Sequence, residues 1–430
     1  MRDYFLVLIF PIFVYYGLRT PIISLYLWFW TSMYPLQNWV YGLALSLRFN
    51  LVFSLITMGG YVLMKNKPPF KLTALFVLVM LFLFHSFLGV AFYALHDGMW
   101  NSLEEFFKGI LFFIFITLLV RKKDHFEGII YFLTLALCFY GAMEGGKVLL
   151  SAGGHKMSGI LGPLGDNNKV ALGLNMTIPL VLYAISETKV KLIKQFLRVL
   201  LFFCVLAILG SASRGGFVAL LVLGFVYWWK NGKKLSIIFG FLFMAVVTVN
   251  LMPSSWFERM DTLKEAGQEN TLISRVTSWK INTLAAMDHP FIGHGFNATA
   301  IYIVWRDYAH NLDSLNFFVD TPIPTKGYVA HSIYFEVLGN QGFVGLFIFL
   351  LILFLTFSKI KFLQKHHFER GTWQHNLLGS IHVSLVAYCV GGAALSAAYF
   401  ELLYLLVALV ICLQITALEG QRPPSHPSAV

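Results

Sequence analysis

The sequence predicts an all-α, polytopic integral membrane protein of about 12 transmembrane helices with one large extramembrane loop region. Three observations carry that prediction. Only 12% of the 430 residues are charged and 58% are hydrophobic, against about 25% charged in a typical soluble domain. The apolar runs are continuous, as in Leu72 to Leu95 and Gly345 to Phe357, where a β-barrel would alternate apolar and polar residues in short stretches. The basic residues gather in short windows between those runs, the mark of cytoplasmic loops. A soluble enzyme, a secreted disulfide scaffold and a disordered chain are excluded on the same grounds.

Five windows, 65–71, 121–127, 187–198, 230–234 and 359–370, hold 17 Lys/Arg against four acids, a net of +13 that exceeds the +11 of the whole chain. These windows are expected inside. Scattered clusters at helix ends do not make one groove, so no nucleic-acid partner is expected. Cys138, Cys204, Cys389 and Cys412 lie in apolar segments without metal-ligand spacing and read as packing residues.

With the basic windows inside, the elements follow in order. The first segment, Tyr4 to Tyr16, lacks a basic leader and a small-residue cleavage site, and reads as a retained helix. Segments near 4–18, 22–45 and 49–64 give three crossings and an outside N-terminus; if one of them is re-entrant or interfacial, both chain ends lie inside, the arrangement favoured here. Residues 72–95 go out and 104–120 return, with His96 to Leu103 outside. Residues 128–150 and 169–186 enclose an outer loop at 151–168. Residues 196–212 and 215–230 place Ser211-Ala-Ser-Arg-Gly-Gly216 at the outer boundary, and 235–252 go out again. Residues 253–330 then form the outer loop region, followed by 331–357 and two last helices, 377–396 and 399–418. The units expected are 1–252 (transmembrane), 253–330 (loop region), 331–418 (transmembrane) and a disordered inside tail, 419–430, containing Arg422-Pro-Pro-Ser-His-Pro. Within the loop region Asn270 or Thr271 can cap a helix to about Met287, with Leu272, Val276, Trp279, Thr283 and Met287 at helical spacing. Pro290 ends it, and Gly293-His-Gly295 reads as a turn.

Three outward features could carry chemistry. Arg214, in Ser213-Arg-Gly-Gly216, lies outside against the charge bias. Its guanidinium fork suits a phosphate or diphosphate, and equally a snorkelling contact with lipid headgroups; the two glycines permit close backbone approach. Arg275-Val-Thr-Ser-Trp279, followed by His289-Pro-Phe-Ile-Gly-His-Gly295, could bind a ligand or anchor an interfacial helix. His331, in His331-Ser-Ile-Tyr-Phe-Glu336, sits where the loop re-enters the membrane, and imidazole is the side chain best suited to take a proton near neutral pH; a His bonded at a helix start is the plainer reading. Asp166-Asn-Asn168 can cap the next helix or touch a ligand. His294, Arg306 and His310 could touch a sugar or be solvated. Glu144 and Glu401 are intramembrane acids, functional candidates by default, or partners of protein groups near helix ends. His-Glu-x-x-His, paired cysteines and a Walker loop are all missing from the sequence, so no metal site and no cofactor are expected. An outside reaction needs a donor that arrives already activated, such as a lipid diphosphate carrying a sugar.

The order of these motifs resembles the O-antigen ligase and polymerase superfamily of bacterial inner membranes, over about residues 120 to 350. Ser-Arg-Gly-Gly comes first, Arg-x-x-x-Trp and His-Pro-x-x-Gly-x-Gly second, His-x-x-Tyr-x-Glu running into Gly342-Phe-Val-Gly345 third. The opening, Met1-Arg-Asp-Tyr through Leu36-Gln-Asn-Trp39, resembles the branch of O-glycosylation ligases that accompanies exosortase systems. The resemblance implies a multi-pass protein of a Gram-negative inner membrane, functional as a monomer, with its active face periplasmic. It implies a glycosyltransferase that takes an undecaprenyl-diphosphate-linked glycan and passes it to a hydroxyl of lipid A–core, or to a protein or growing chain, with inversion and without metal. Residue by residue, Arg214 and Arg275 would hold the diphosphate and His331 would face the acceptor hydroxyl, with Asn167, Asn168, His294, Arg306, His310 and Tyr334 as further substrate contacts. Ser332 stands where Asn is frequent in the family. A transporter, which would show paired broken helices in two related halves, and a receptor or structural membrane protein are the alternatives of other classes.

Overall fold

The computed structural model describes residues 2–155, 157, 159, 164–230, 270–316, 319–324 and 326–420. Among them the regular structure is helical, as lipid requires of segments that must satisfy their own backbone hydrogen bonds. The expected span at 235–252, the start of the outer loop and the tail beyond Gly420 lie outside the described residues. Among the described residues six helices are long and apolar enough to cross a membrane: Ala74–Tyr93, Lys123–Leu150, Asn167–Glu187, Lys191–Gly210, Ile333–His366 and Glu401–Glu419; Phe49–Leu63 and Arg214–Trp229 are shorter and apolar. The protein is a polytopic membrane protein.

The N-terminal part departs from expectation. Helix α1 (Arg2–Arg19) turns at Thr20 into α2 (Pro21–Met33), which stops before Tyr34-Pro35. A residue preceding proline is pushed out of the helical region, so 22–45 is not one crossing. At 13 residues α2 is about 20 Å long, short of the roughly 30 Å hydrocarbon core. Two 3-10 turns, Leu36–Trp39 and Leu43–Ser46, lead to α3 (Phe49–Leu63). Asp3 accepts the backbone N–H groups of Leu43 and Ala44, which fixes the start of α1 beside the second of these turns.

Helices α4 (Ala74–Tyr93) and α5 (Asp97–Leu119) follow, and the expected outer loop 96–103 is instead mostly the first turns of α5, capped by His96. Helix α6 (Lys123–Leu133) continues through a π turn (Thr134–Cys138) into α7 (Phe139–Leu150). Helices α8 (Asn167–Glu187), α9 (Lys191–Gly210) and α10 (Arg214–Lys230) form the next antiparallel run. After α11 (Asn270–Asp288) and the short α12 (Tyr302–Ala309) come α13 (Ile333–His366), α14 (Trp373–Gly392) and α15 (Glu401–Gly420).

Side-chain contacts sort the helix ends into two sets. At one end Arg121 donates to Pro69 O, Lys123 pairs with Glu187, and Asn376 donates to the same carboxylate; this end gathers basic windows. At the other, Asn167 reaches Ser211 O, Ser32 donates to Glu401, and His331 N–H donates to Ser396. The chain enters at this second end with α1 and leaves at the basic end with α15. The start of α1 and the end of α15 therefore lie at opposite ends of the bundle, where one shared side was expected; α1, α2 and α3 run in alternate directions, with α2 too short to cross by itself.

Helix α13 is broken at Gly342, whose φ of 66° and ψ of −167° leave the helical region. The hairpin 289–295 fills the break: Phe343 N–H donates to Pro290 O, Gly295 N–H to Asn340 O and His294 N–H to Gly339 O. A Cβ at Gly342 would lie 2.5 Å from Pro290 O, so both conformation and space demand glycine here. Gln341 beside the break bonds Ser86, Tyr399 and His85. Inserted protein thus satisfies the polar groups that an interrupted helix exposes.

Candidate active site

Arg214 is the first residue of α10. The turn before it is held by Ser211, whose hydroxyl accepts Ser213 N–H, and by Ser213, whose hydroxyl accepts Gly216 N–H; Ala212 takes a left-handed φ of 51° to complete it. Helix α8 packs alongside. Asn175 donates to Gly216 O, and a Cβ at Gly216 would press on Ala171 at 2.7 Å. Gly216 therefore serves helix packing, not the ligand approach expected of it, because α8 already occupies that face.

Arg275 lies half-buried on α11, and α11 is clamped to the segment that carries His331. Trp279 stacks flat on Phe335 at 5.1 Å, and its indole N–H donates to Ala330 O at 2.8 Å. Ser278 donates to Val329 O. The Trp is thus a protein contact and not a membrane anchor. The buried face of α11 is also not the apolar stripe: Met287 is exposed, while Thr277, Ser278, Lys280 and Asn282 are buried. Those polar groups are tolerated because each is bonded, Lys280 to Asn316, Val319 O and Thr321, and Asn282 to Ser278 O and Thr299.

His331 precedes α13 with a φ of 47°, a conformation that costs a β-carbon-bearing residue about 1–3 kcal/mol and is held only by its surroundings. Its N–H donates to Ser396 Oγ at 2.9 Å. Burial, and then the positive charge of Arg275, hold the imidazole below its ordinary pKa, while Asp166 opposes them. His331, Arg275 and Asp166 therefore share one electrostatic neighbourhood, although 165 positions separate the first and the last of them. Asp166 also caps α8, accepting Asn168 N–H and Lys169 N–H at 2.8 and 2.9 Å. Beside this group a cavity of about 350 Å³ is lined by Lys169, Glu336, Ser396 and Glu401 among others.

Residues 199–350 match the family model described as O-antigen ligase. Over this stretch the chain is similar to the O-antigen ligase family. The matched stretch contains Arg214, Arg275, His331 and the break at Gly342. Residues 1–188, which hold Asp166 to Asn168 and the opening segment, match a family of unknown function. No curated protein matches the chain. The match supports glycan transfer of the ligase or polymerase type, and the helices are those of a multi-pass membrane protein.

The weaker candidates divide. Asn167 is tied to Ser211 O at 2.7 Å, and Asn168 is half-buried in the first turn of α8. Tyr334 turns its hydroxyl to Cys389 O on α14. Arg306 is exposed, beside Asp307 and over the Tyr302 ring, and His310 is exposed at the end of α12; their described contacts are local. His294 is not a solvated loop residue: it bonds Tyr308, and burial pushes its pKa down to about 4, with His289 adding to the shift and Asp288 opposing it. Glu144 is paired with Lys147 and His155, and Glu401 with Ser32, so both acids have protein partners. Sequence reading missed Ser396 and Lys169, which carry no motif and join the site only through tertiary contact.

Proposed function

We propose that this protein transfers a glycan from an undecaprenyl-diphosphate carrier to a hydroxyl of lipid A–core, at the periplasmic face of a Gram-negative inner membrane. The observation that carries this reading is the grouping of His331 with Arg275 and Asp166 at the end of the bundle away from the basic windows. Arg214 and Arg275 hold the diphosphate and stabilise the charge that grows on it as the glycosidic bond to the carrier breaks. His331, kept neutral by burial and by Arg275, accepts the proton of the acceptor hydroxyl as its oxygen attacks the anomeric carbon. The leaving diphosphate departs from the opposite face, so a single displacement inverts the anomeric centre. The arginines supply the leaving-side charge, and the transfer chemistry is assigned no metal or cofactor. The cavity beside Ser396 accommodates a sugar, with Lys169, Glu336 and Glu401 as its polar walls. One copy of the chain carries all these groups, and membrane lipid holds the prenyl tail; residues 253–330 serve as the periplasmic region between the transmembrane units 1–252 and 331–418.

Transfer by purified protein from a purified prenyl-diphosphate glycan tests the reading. Glycan appearing on lipid A–core supports it. Glycan appearing only on protein, or only as longer carrier-linked chains, reassigns the acceptor to protein O-glycosylation or polymerisation. No transfer, with solute flux in liposomes, favours a transporter.

A further inference from the structure

Outside the proposed transfer site, three titratable side chains converge where the hairpin 289–295 meets the ends of α11 and α12. Asp288, His289 and His294 each offer a ligand atom, all within 4.8 Å of one another. His289 Nε2 lies 3.5 Å from Asp288 Oδ2, and the two imidazole rings are 4.2 Å apart. Tyr308 orients both sides of the cluster through one hydroxyl, which donates to Asp288 at 2.7 Å and shares a proton with His294 Nε2 at 2.9 Å. Tyr93, at the end of α4, closes the group over His289 at 4.6 Å. His294 Nδ1 is buried without a hydrogen-bond partner.

We propose that Asp288, His289 and His294 form a zinc site that clasps the hairpin 289–295. Two imidazoles and one carboxylate are a three-protein-ligand set of the kind Zn²⁺ takes, with water in a fourth position. The chain has the geometry ready. Gly293 and Gly295, at φ values of 63° and 82°, fold the hairpin back so that His294 returns to His289 five residues before it. An ion bound through the partnerless Nδ1 of His294 leaves Nε2–H donating to the Tyr308 hydroxyl, which in turn donates to Asp288 and orients the ligands. The hairpin so pinned is the one that fills the break at Gly342, and α11, which begins the clasp, carries Arg275. The site stabilises that architecture and takes no part in the transfer step.

Tag-free, full-length protein in detergent, stripped with chelator and dialysed, is titrated with Zn²⁺ and separately with Co²⁺. The expected result is about one ion bound per chain, tetrahedral Co²⁺ bands in the visible spectrum, and a higher Tm with Zn²⁺. Asp288→Asn and His289→Gln should each weaken binding at least tenfold, roughly the smallest effect of disturbing a ligand shell, while His310→Gln, an exposed histidine nearby, should leave it unchanged. Asp288 is exposed and Asn keeps its shape, so that variant folds and keeps the test open if a histidine variant does not. Equal metal content in wild type and Asp288→Asn, or no bound ion in wild type, overturns the proposal; neither result bears on glycan transfer.

Discussion

The backbone N–H of His331 donates to the hydroxyl of Ser396 at 2.9 Å, across 65 positions of chain. This contact ties the strained turn before α13 to the loop between α14 and α15. It holds the left-handed backbone of His331, which would otherwise relax. Ser396→Ala removes the acceptor. A lost hydrogen bond of about 0.5–1.5 kcal/mol corresponds to roughly a 2–10-fold fall in transfer rate. The fall should appear in kcat, with KM for the lipid donor little changed. A variant with wild-type kcat would show that the turn needs no such tether.

His331→Ala should reduce transfer by roughly 10²–10⁴-fold if proton removal is its main task, with donor binding retained through the arginines. His331→Gln separates orientation from base function, since the amide can accept a hydrogen bond but is a poor base. Full activity in the Ala variant would move the acceptor side elsewhere.

The pH profile follows from the same group. A base works in its neutral form, and burial with Arg275 lowers the His331 pKa, so the acid limb of the rate should fall below the ordinary imidazole value of about 6.5. Asp166 raises that pKa. Asp166→Asn keeps a capping side chain for α8 but loses the charge, so the limb should move to still lower pH. An unmoved limb, or one moved upward, would detach His331 from the observed titration.

Arg214→Lys and Arg275→Lys keep a positive charge and lose the planar fork. One lost charged hydrogen bond is about 1.5–3 kcal/mol, roughly 10–10²-fold in transfer, at unchanged protein level. Near-normal transfer by both variants would return these residues to lipid-headgroup contacts.

Ser314 is exposed in the loop region. Cys138, Cys204 and Cys412 are buried and Cys389 half-buried, so a cysteine at 314 labels against a low background. Ser314→Cys should react with an impermeant thiol reagent in intact spheroplasts. Reaction only after lysis would reverse the sidedness of the whole site.

The helices were legible in the sequence because lipid imposes a one-dimensional rule. A crossing must be a long apolar run, and Leu72 to Leu95 or Gly345 to Phe357 obey it without reference to anything else in the chain. The basic windows were legible for the same reason, and so was the cap at Asp166, which is local to its own helix. The motifs around Arg214, Arg275 and His331 stood out because a charge or imidazole at the edge of an apolar run is costly and conspicuous. Their mutual placement was not legible. Asp166, Arg275, His331 and Ser396 meet only because α8, α11, α13 and α14 pack together, and nothing in sequence spacing encodes that packing. The stop of α2 before Pro35 was written locally but hidden inside a hydrophobic stretch. The polar buried face of α11 ran against the apolar pattern because Asn316, Thr321 and Thr299 supply its partners from distant positions. The break at Gly342 looked like continuous helix until the hairpin 289–295 was seen to satisfy its freed backbone. Short-range physics set the elements; contacts between remote segments, which alone decide which polar groups are paired and which charges are felt, set the site.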